Sequence, residues 1–222
     1  LKNAGFPAVT DINPSSWAYA QGIKPIAVNL LQSKEMLTAS GWQQGSDRIW
    51  IRQGRRLSFT VLVPLGDKPR EAAINVLASQ LREAGIEMRV QMVDRKMFFE
   101  DILPNRRFEA TVFAWVNGTE PNSYDLWHSR RIPTPENRRA GKNYAGWRSQ
   151  EVDSLLEITR NIAAMEVCRL AYVRLQELAA SEVPSVPLYY RAEVAAAKRN
   201  VSNFKPNVFG GNLWNSWEWG IR

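Results

Sequence analysis

The residues of this sequence that could do chemistry crowd into one stretch. Glu120, Asp125 and His128 lie within nine positions. Asp125 and His128 are three apart and would share a face on a helix. With Glu120 they could form a metal site or an acid–base dyad. One imidazole and two spread carboxylates ligate weakly, because stable metal sites converge three or four ligands. Simple hydrogen bonding is the plainer expectation. Glu120 and Asp125 could instead be the paired carboxylates of a sugar-acting hydrolase, with tryptophans as platforms for a sugar ring. Both acids share one short loop, however, whereas such pairs usually come from separate strand ends. His128 is the only histidine and Cys168 the only cysteine. His-rich zinc sites, Cys/His nucleophile pairs, iron–sulfur clusters and an internal disulfide are thereby set aside. Cys168, in a helical stretch beside Arg169, reads as a small buried hydrophobe. Neither phosphate-cradling glycine pattern occurs, and Gly210-Gly211 reads as a turn.

Charge and aromatic content narrow the partners. Lys and Arg total 29 against 22 Asp and Glu, a net charge of +7. The excess is scattered and reads first as solubility. The pairs Arg106-Arg107, Arg130-Arg131 and Arg138-Arg139, with nearby tryptophans, could line a nucleic-acid groove. Acidic residues are mixed through the same stretches and no recognised motif appears, so no nucleic acid is expected. Nine tryptophans suggest a surface for rings, sugars or peptides, or else core and rim packing. No apolar run is long enough to span a bilayer. The triplets at Asn117 and Asn200 fit a glycosylation pattern that often arises by chance. The chain opens at Leu1, with no basic segment leading into an apolar one. It therefore reads as a piece of something longer or as a processed product. No catalytic set, metal or cofactor is expected.

The elements that must position these residues follow from periodicity. Residues 1–28 read as an irregular, proline-punctuated lead-in. Leu30 to Ala39 predicts a short helix stopped by Gly41, and Gln43 to Arg56 a turn or hairpin. Leu57 to Val63 predicts a strand, Arg70 to Ala84 a helix ended by Gly85, and Ile86 to Met92 a one-sided strand. Lys96 to Leu103 predicts a short amphipathic helix and Phe108 to Trp115 another strand. Its even positions would form one apolar face, leaving Trp115 to point with Phe113 to the other. Strand–helix–strand alternation argues for an α/β sheet, whose ligands sit at the carboxyl ends of strands. Trp115 stands at such an end and opens a loop of more than 30 residues, Val116 to Trp147. So long a loop is usually functional. Two helices are then expected, Val152 to Ile162 and Glu166 to Ser181. Strands follow at Val183 to Tyr190 and Val194 to Lys198.

Several segments in order resemble the family-5 solute-binding proteins of ABC importers. They are Pro14-Ser-Ser-Trp-Ala-Tyr19; Leu37 to Trp42, ending Ala-Ser-Gly-Trp; and Phe108 to Trp115 with Glu120-Pro121 and Asp125-Leu-Trp-His-Ser129. Asn143-Tyr-Ala-Gly-Trp147 with the helix after it, Pro184-Ser-Val-Pro-Leu-Tyr-Tyr190, and Trp214-Asn215 with Trp217 and Trp219 complete the series. The resemblance implies an α/β, periplasmic-binding-protein-like (type II) lobe with a mixed sheet. Residues 1–200 would be the second, carboxyl-terminal lobe of a two-lobed clamp. Residues 201–222 would be a tail returning toward a first lobe missing here. It implies capture of a peptide or other small solute for a membrane permease, and a periplasmic or cell-surface location with any signal or lipid anchor upstream. It also implies that Trp115 packs along the ligand, with Asn117, Gly118, Glu120, Tyr124, Trp127 and His128 as further ligand-binding residues. In the peptide binders an aspartate three positions after that tryptophan pairs with the ligand's free amine. Gly118 stands there, and Glu120 is the nearest acid. A lobe whose ligand site has decayed to a structural role is the alternative.

Overall fold

Side-chain caps open several helices of this chain, and Gly41 and Gly85 follow the ends of two of them. The computed structural model describes residues 5–118, 120–162 and 164–221. The triplet at Asn117 includes Thr119, outside them, as are the first four residues of the lead-in. In chain order the elements are β1 (Gly5–Pro7), α1 (Leu30–Ala39), β2 (Gln43–Gln44), β3 (Trp50–Arg52), β4 (Arg55–Arg56), β5 (Ser58–Pro64), α2 (Lys68–Glu83), β6 (Glu87–Val93) and α3 (Arg95–Met97). There follow β7 (Ala110–Thr111), α4 (Ser123–Trp127), α5 (Gln150–Asn161), α6 (Met165–Glu182), β8 (Tyr189–Arg191), β9 (Val201–Ser202) and β10 (Gly220–Ile221). Contacts divide the chain into two compact units. One draws on residues 1–25, 116–131 and 145–222, the other on residues 26–115 and 132–144.

The unit built on residues 26–115 holds a parallel sheet in the order β6-β5-β7. Ser58 pairs with Glu87 through to Pro64 with Val93, and Val61 with Ala110. The crossover helix α2 starts where the Asp67 side chain accepts a hydrogen bond from the Arg70 amide, with Pro69 in its first turn. Ile74 is buried on Val61, Val63 and Met88, with Leu77, Ala78 and Leu81 along the same stripe. Gly85 follows at φ +84°, and a Cβ there would sit 2.6 Å from the Arg48 carbonyl oxygen. Only glycine meets both demands. β2, β3 and β4 make the expected hairpin region, as an antiparallel three-stranded sheet.

Two expectations in this unit need correction. The strand expected over Phe108 to Trp115 pairs only at Ala110–Thr111. The Thr60 amide is taken by the Glu109 carboxylate at 2.7 Å instead of a ladder carbonyl. Beyond Val112, whose amide still reaches the Leu62 carbonyl, Pro64 has no N–H to continue the ladder. The amphipathic helix expected at Lys96 begins one residue earlier and turns into a π-helix over Phe98–Ile102.

The other unit packs α5 against α6. Its core holds Ile12, Leu126, Trp127, Trp147, Val152, Leu156, Tyr172 and Leu175. α5 starts at a Ser149 side-chain cap and ends at Asn161, one residue short of expectation. The lead-in is only partly irregular: β1 pairs antiparallel with β8, Gly5 opposite Arg191. Buried Gln176 of α6 ties it down, donating to the Ala18 carbonyl at 2.8 Å and accepting from the Ala20 amide at 3.2 Å. The strand expected over Val183 to Tyr190 is confined to Tyr189–Arg191, after a proline-flanked approach. Val194 to Lys198 forms no strand. The long loop contains α4, capped by Asn122.

Candidate functional site

The strand order sets where a ligand crevice can form in the sheet-bearing unit. β5 leads to β6 on one side and the chain then returns to β7 on the other. The connections diverge between β5 and β7, and open α/β sheets bind ligands at that point, outside the carboxyl ends of the strands. The segment leaving β7 carries Phe113 and Trp115 there. Ala110 and Val112 pack on the sheet core, and the odd positions join an aromatic cluster. Phe113 meets Phe98, Trp115 and Tyr144 edge-on, at ring-centroid distances of 5.8, 5.0 and 6.2 Å. Trp115 and Tyr144 are parallel within 7° at 6.0 Å. Phe98 is fully buried and anchors the group, whereas Trp115 and Phe99 keep 37% and 39% of their surface exposed. Burial pushes the Tyr144 hydroxyl above the usual tyrosine pKa. The Lys142 ammonium lies 5.7 Å from the Trp115 ring centre and the Arg95 guanidinium 5.6 Å from that of Phe99.

The other expected site residues lie in the helical unit, and they divide into surface and interior. Glu120 is exposed, and the Trp17 indole N–H points at its two oxygens, 3.2 and 3.4 Å away. Trp17 meets Tyr172 edge-on, and the Tyr172 hydroxyl donates to the Pro121 carbonyl. Asn117 donates to the Asp11 carbonyl at 2.6 Å. Gly118 is exposed, and a Cβ there would meet nothing within 4 Å. Tyr124 is half-buried, its hydroxyl donating to Glu157 at 3.2 Å and its ring lying under Arg160.

Trp127 and His128 are not on a surface. Trp127 is 7% exposed and donates its indole N–H to the Asp11 carboxylate at 2.9 Å. His128 is 3% exposed. Its Nδ1 accepts the Arg130 amide, and its Nε2 faces Glu157 at 3.3 Å. These contacts place both side chains in the interior of the helical unit. Asp125 pairs with Arg131 at 2.7 Å, so it is not a free acid beside Glu120. Among the described residues no three His, Cys, Asp or Glu side chains group as metal ligands. Nothing in this geometry favours the hydrolase reading.

Sequence reasoning missed Asp11, Trp17, Tyr144, Lys142 and Arg160. Trp17 and Tyr144 fall in segments that carried the resemblance, so a signal was present. Asp11, Lys142 and Arg160 gave none, since each needs distant partners to acquire a role. Pro121, Tyr124, Asp125, Arg131, Arg160 and Tyr172 also line a depression of about 370 Å³ in the helical unit.

The parallel sheet thus carries an exposed aromatic platform at its carboxyl end. Residues 1–132 match the bacterial extracellular solute-binding proteins, family 5 Middle, and the chain belongs to that family. It is 30% identical over 209 residues to the oligopeptide-binding protein AppA of Bacillus subtilis (strain 168), covering 92% of this chain and 37% of that protein. The solved structure of AppA from Bacillus subtilis with a nonapeptide superposes with a TM-score of 0.82 at 29% identity, over 100% of this chain and 44% of that one. The fold is likewise that of an oligopeptide-binding protein from Thermus thermophilus complexed with a pentapeptide, with a TM-score of 0.81 at 24% identity, over 100% of this chain and 40% of that one. The α/β fold of periplasmic binding proteins expected from the sequence is the one observed, although among the described residues the expected mixed sheet is replaced by one parallel sheet and three antiparallel ones. The chain spans less than half the length of these relatives.

Proposed function

We propose that this chain is the carboxyl-terminal lobe of the substrate-binding component of an ABC importer. The whole receptor captures a peptide or other small solute between two lobes and delivers it to a membrane permease, without catalysis and without a cofactor. Its place is periplasmic or at the cell surface, with any signal or lipid anchor encoded upstream. Residues 1–200 form the lobe, and residues 201–222 return toward the first lobe. The observation that carries this reading is the half-exposed Trp115 at the carboxyl end of the parallel sheet, with the aromatic cluster behind it. Asn117, Gly118, Glu120 and Tyr124 are the further ligand contacts proposed. A clamp gains affinity by burying its ligand from both sides, so half a clamp should bind weakly. The test is to titrate one oligopeptide into the 222-residue chain and into the full-length receptor. The full receptor should bind much more tightly, and equal dissociation constants would overturn the two-lobe reading.

A further inference from the structure

Four acids in the segments around the aromatic cluster have partners of their own. Asp101 pairs with Arg107, Glu100 with Lys96 at 3.9 Å, Glu109 accepts the Thr60 amide and Asp94 accepts the Met97 amide. Lys142 and Arg95 make no ion pair with any described residue; each lies against an aromatic ring instead. Arg106 adds a third positive group, donating from Nε to the Tyr144 carbonyl at 3.0 Å.

The turn that precedes Lys142 is closed by its own hydrogen bonds. The Asn137 side chain donates to the Ile132 carbonyl at 2.7 Å and accepts from the Thr134 amide at 2.9 Å. The Arg139 amide donates to the Thr134 carbonyl at 2.8 Å. Lys142 follows this turn, and its exposed ammonium lies over the Trp115 ring. A ligand ring or aliphatic group resting on Trp115 would bring its neighbouring groups up to an ammonium that has no carboxylate of its own.

We infer that the Trp115–Tyr144 surface is a subsite for a ligand segment bearing an apolar side chain next to a carboxylate, and that Lys142 determines this preference. The inference rests on the ligand-binding reading above and assigns its selectivity. The carboxylate can be an acidic side chain or a peptide carboxyl terminus. Because Lys142 is exposed, the preference has the size of a solvent-accessible ion pair, about two- to fivefold in affinity, and weakens as salt screens it.

The test uses the full-length receptor labelled with fluorotryptophan, read by fluorine NMR, the Trp115 signal being assigned by its loss in Trp115→Phe. Four probes are titrated: the amides of N-acetyl-Phe-Glu, N-acetyl-Phe-Gln and N-acetyl-Phe-Lys, and N-acetyl-Ala-Phe with a free carboxyl terminus. Acetylation removes the free amine, so Glu120 is not what the probes read. The Glu amide, the free acid or both should half-saturate the Trp115 signal at about two- to fivefold lower concentration than the Gln amide, with the Lys amide weakest. Whichever carboxylate probe gains identifies the source. Lys142→Glu should invert the order, and high salt should flatten it. Perturbation of Trp115 by all four probes without discrimination, or an order unchanged in Lys142→Glu, overturns the selectivity and leaves the ligand site standing. If no probe moves the Trp115 signal, the selectivity and the site reading both fall.

Discussion

Glu120 and Gly118 together decide how a free amine could be held. Glu120 is exposed, with the Trp17 indole N–H at its oxygens, which orients the carboxylate without neutralising it. If it replaces the aspartate found in peptide binders, Glu120→Gln should weaken cationic peptides by about 1.5–3 kcal/mol, the scale of a hydrogen bond to a charged group. Neutral ligands should be nearly unaffected, and calorimetry showing equal losses in both classes would reject the role. Gly118 allows the reciprocal experiment. Its backbone is outside the left-handed region and a Cβ there has open space, so Gly118→Asp should fold normally and tighten cationic peptides on the same scale. Asp11 makes a different prediction. Burial pushes its carboxyl above the ordinary value of 3.8, only partly offset by the Trp127, backbone and Thr10 hydrogen bonds. The native state therefore holds this proton more tightly than the unfolded chain does. The stability it contributes is complete below the unfolded value and is lost as pH rises through the folded one. Asp11→Asn should flatten the stability profile across that window, as measured by urea unfolding at a series of pH values; an unchanged slope would contradict this.

At the scale of elements, two positions carry more than their sequence suggests. Gly85 combines a left-handed backbone with a Cβ position that clashes with the Arg48 carbonyl and the Trp50 indole. Gly85→Ala should cost at least about 1–2 kcal/mol, the penalty for an L-residue in that region, seen as a lower urea midpoint. Gln176 satisfies backbone groups of the lead-in from inside α6, so Gln176→Leu should destabilise the helical unit by about 1–3 kcal/mol per orphaned group. The helices and the β5–α2–β6 alternation were legible because apolar periodicity, Asp67, Ser149 and Gly85 are local signals. The length of β7 was not, because it depends on Glu109 reaching Thr60 and on a proline in the neighbouring strand. Trp127 and His128 looked like loop residues for the same reason: the local sequence does not show α4 packing into a core completed by Asp11 and Glu157, far away in the chain. The direction of Trp115 was readable because alternation places it opposite Ala110 and Val112, whereas its exposure depends on the chain leaving the sheet after Val112, where Ala114 and Val116 are exposed as well.

Across the whole molecule, large apolar side chains stay exposed along the carboxyl-terminal stretch, among them Val186, Val194, Trp217 and Ile221 at 69, 86, 74 and 85%. Trp217 and Ile221 lie within residues 201–222, the segment proposed above to return to a first lobe. The central claim is that Trp115 belongs to a ligand site and not to the core. Its ring touches Phe113 and Tyr144 on the inside and solvent on the outside. Removing it should therefore affect binding more than folding. The direct measurement pairs peptide calorimetry with urea unfolding on the full-length receptor and its Trp115→Ala variant. The account predicts a loss of roughly 1–3 kcal/mol in binding, as for an interface anchor, with little change in stability. A loss of about 3–5 kcal/mol in stability, the cost of emptying an aromatic core site, would contradict it and make Trp115 a core residue.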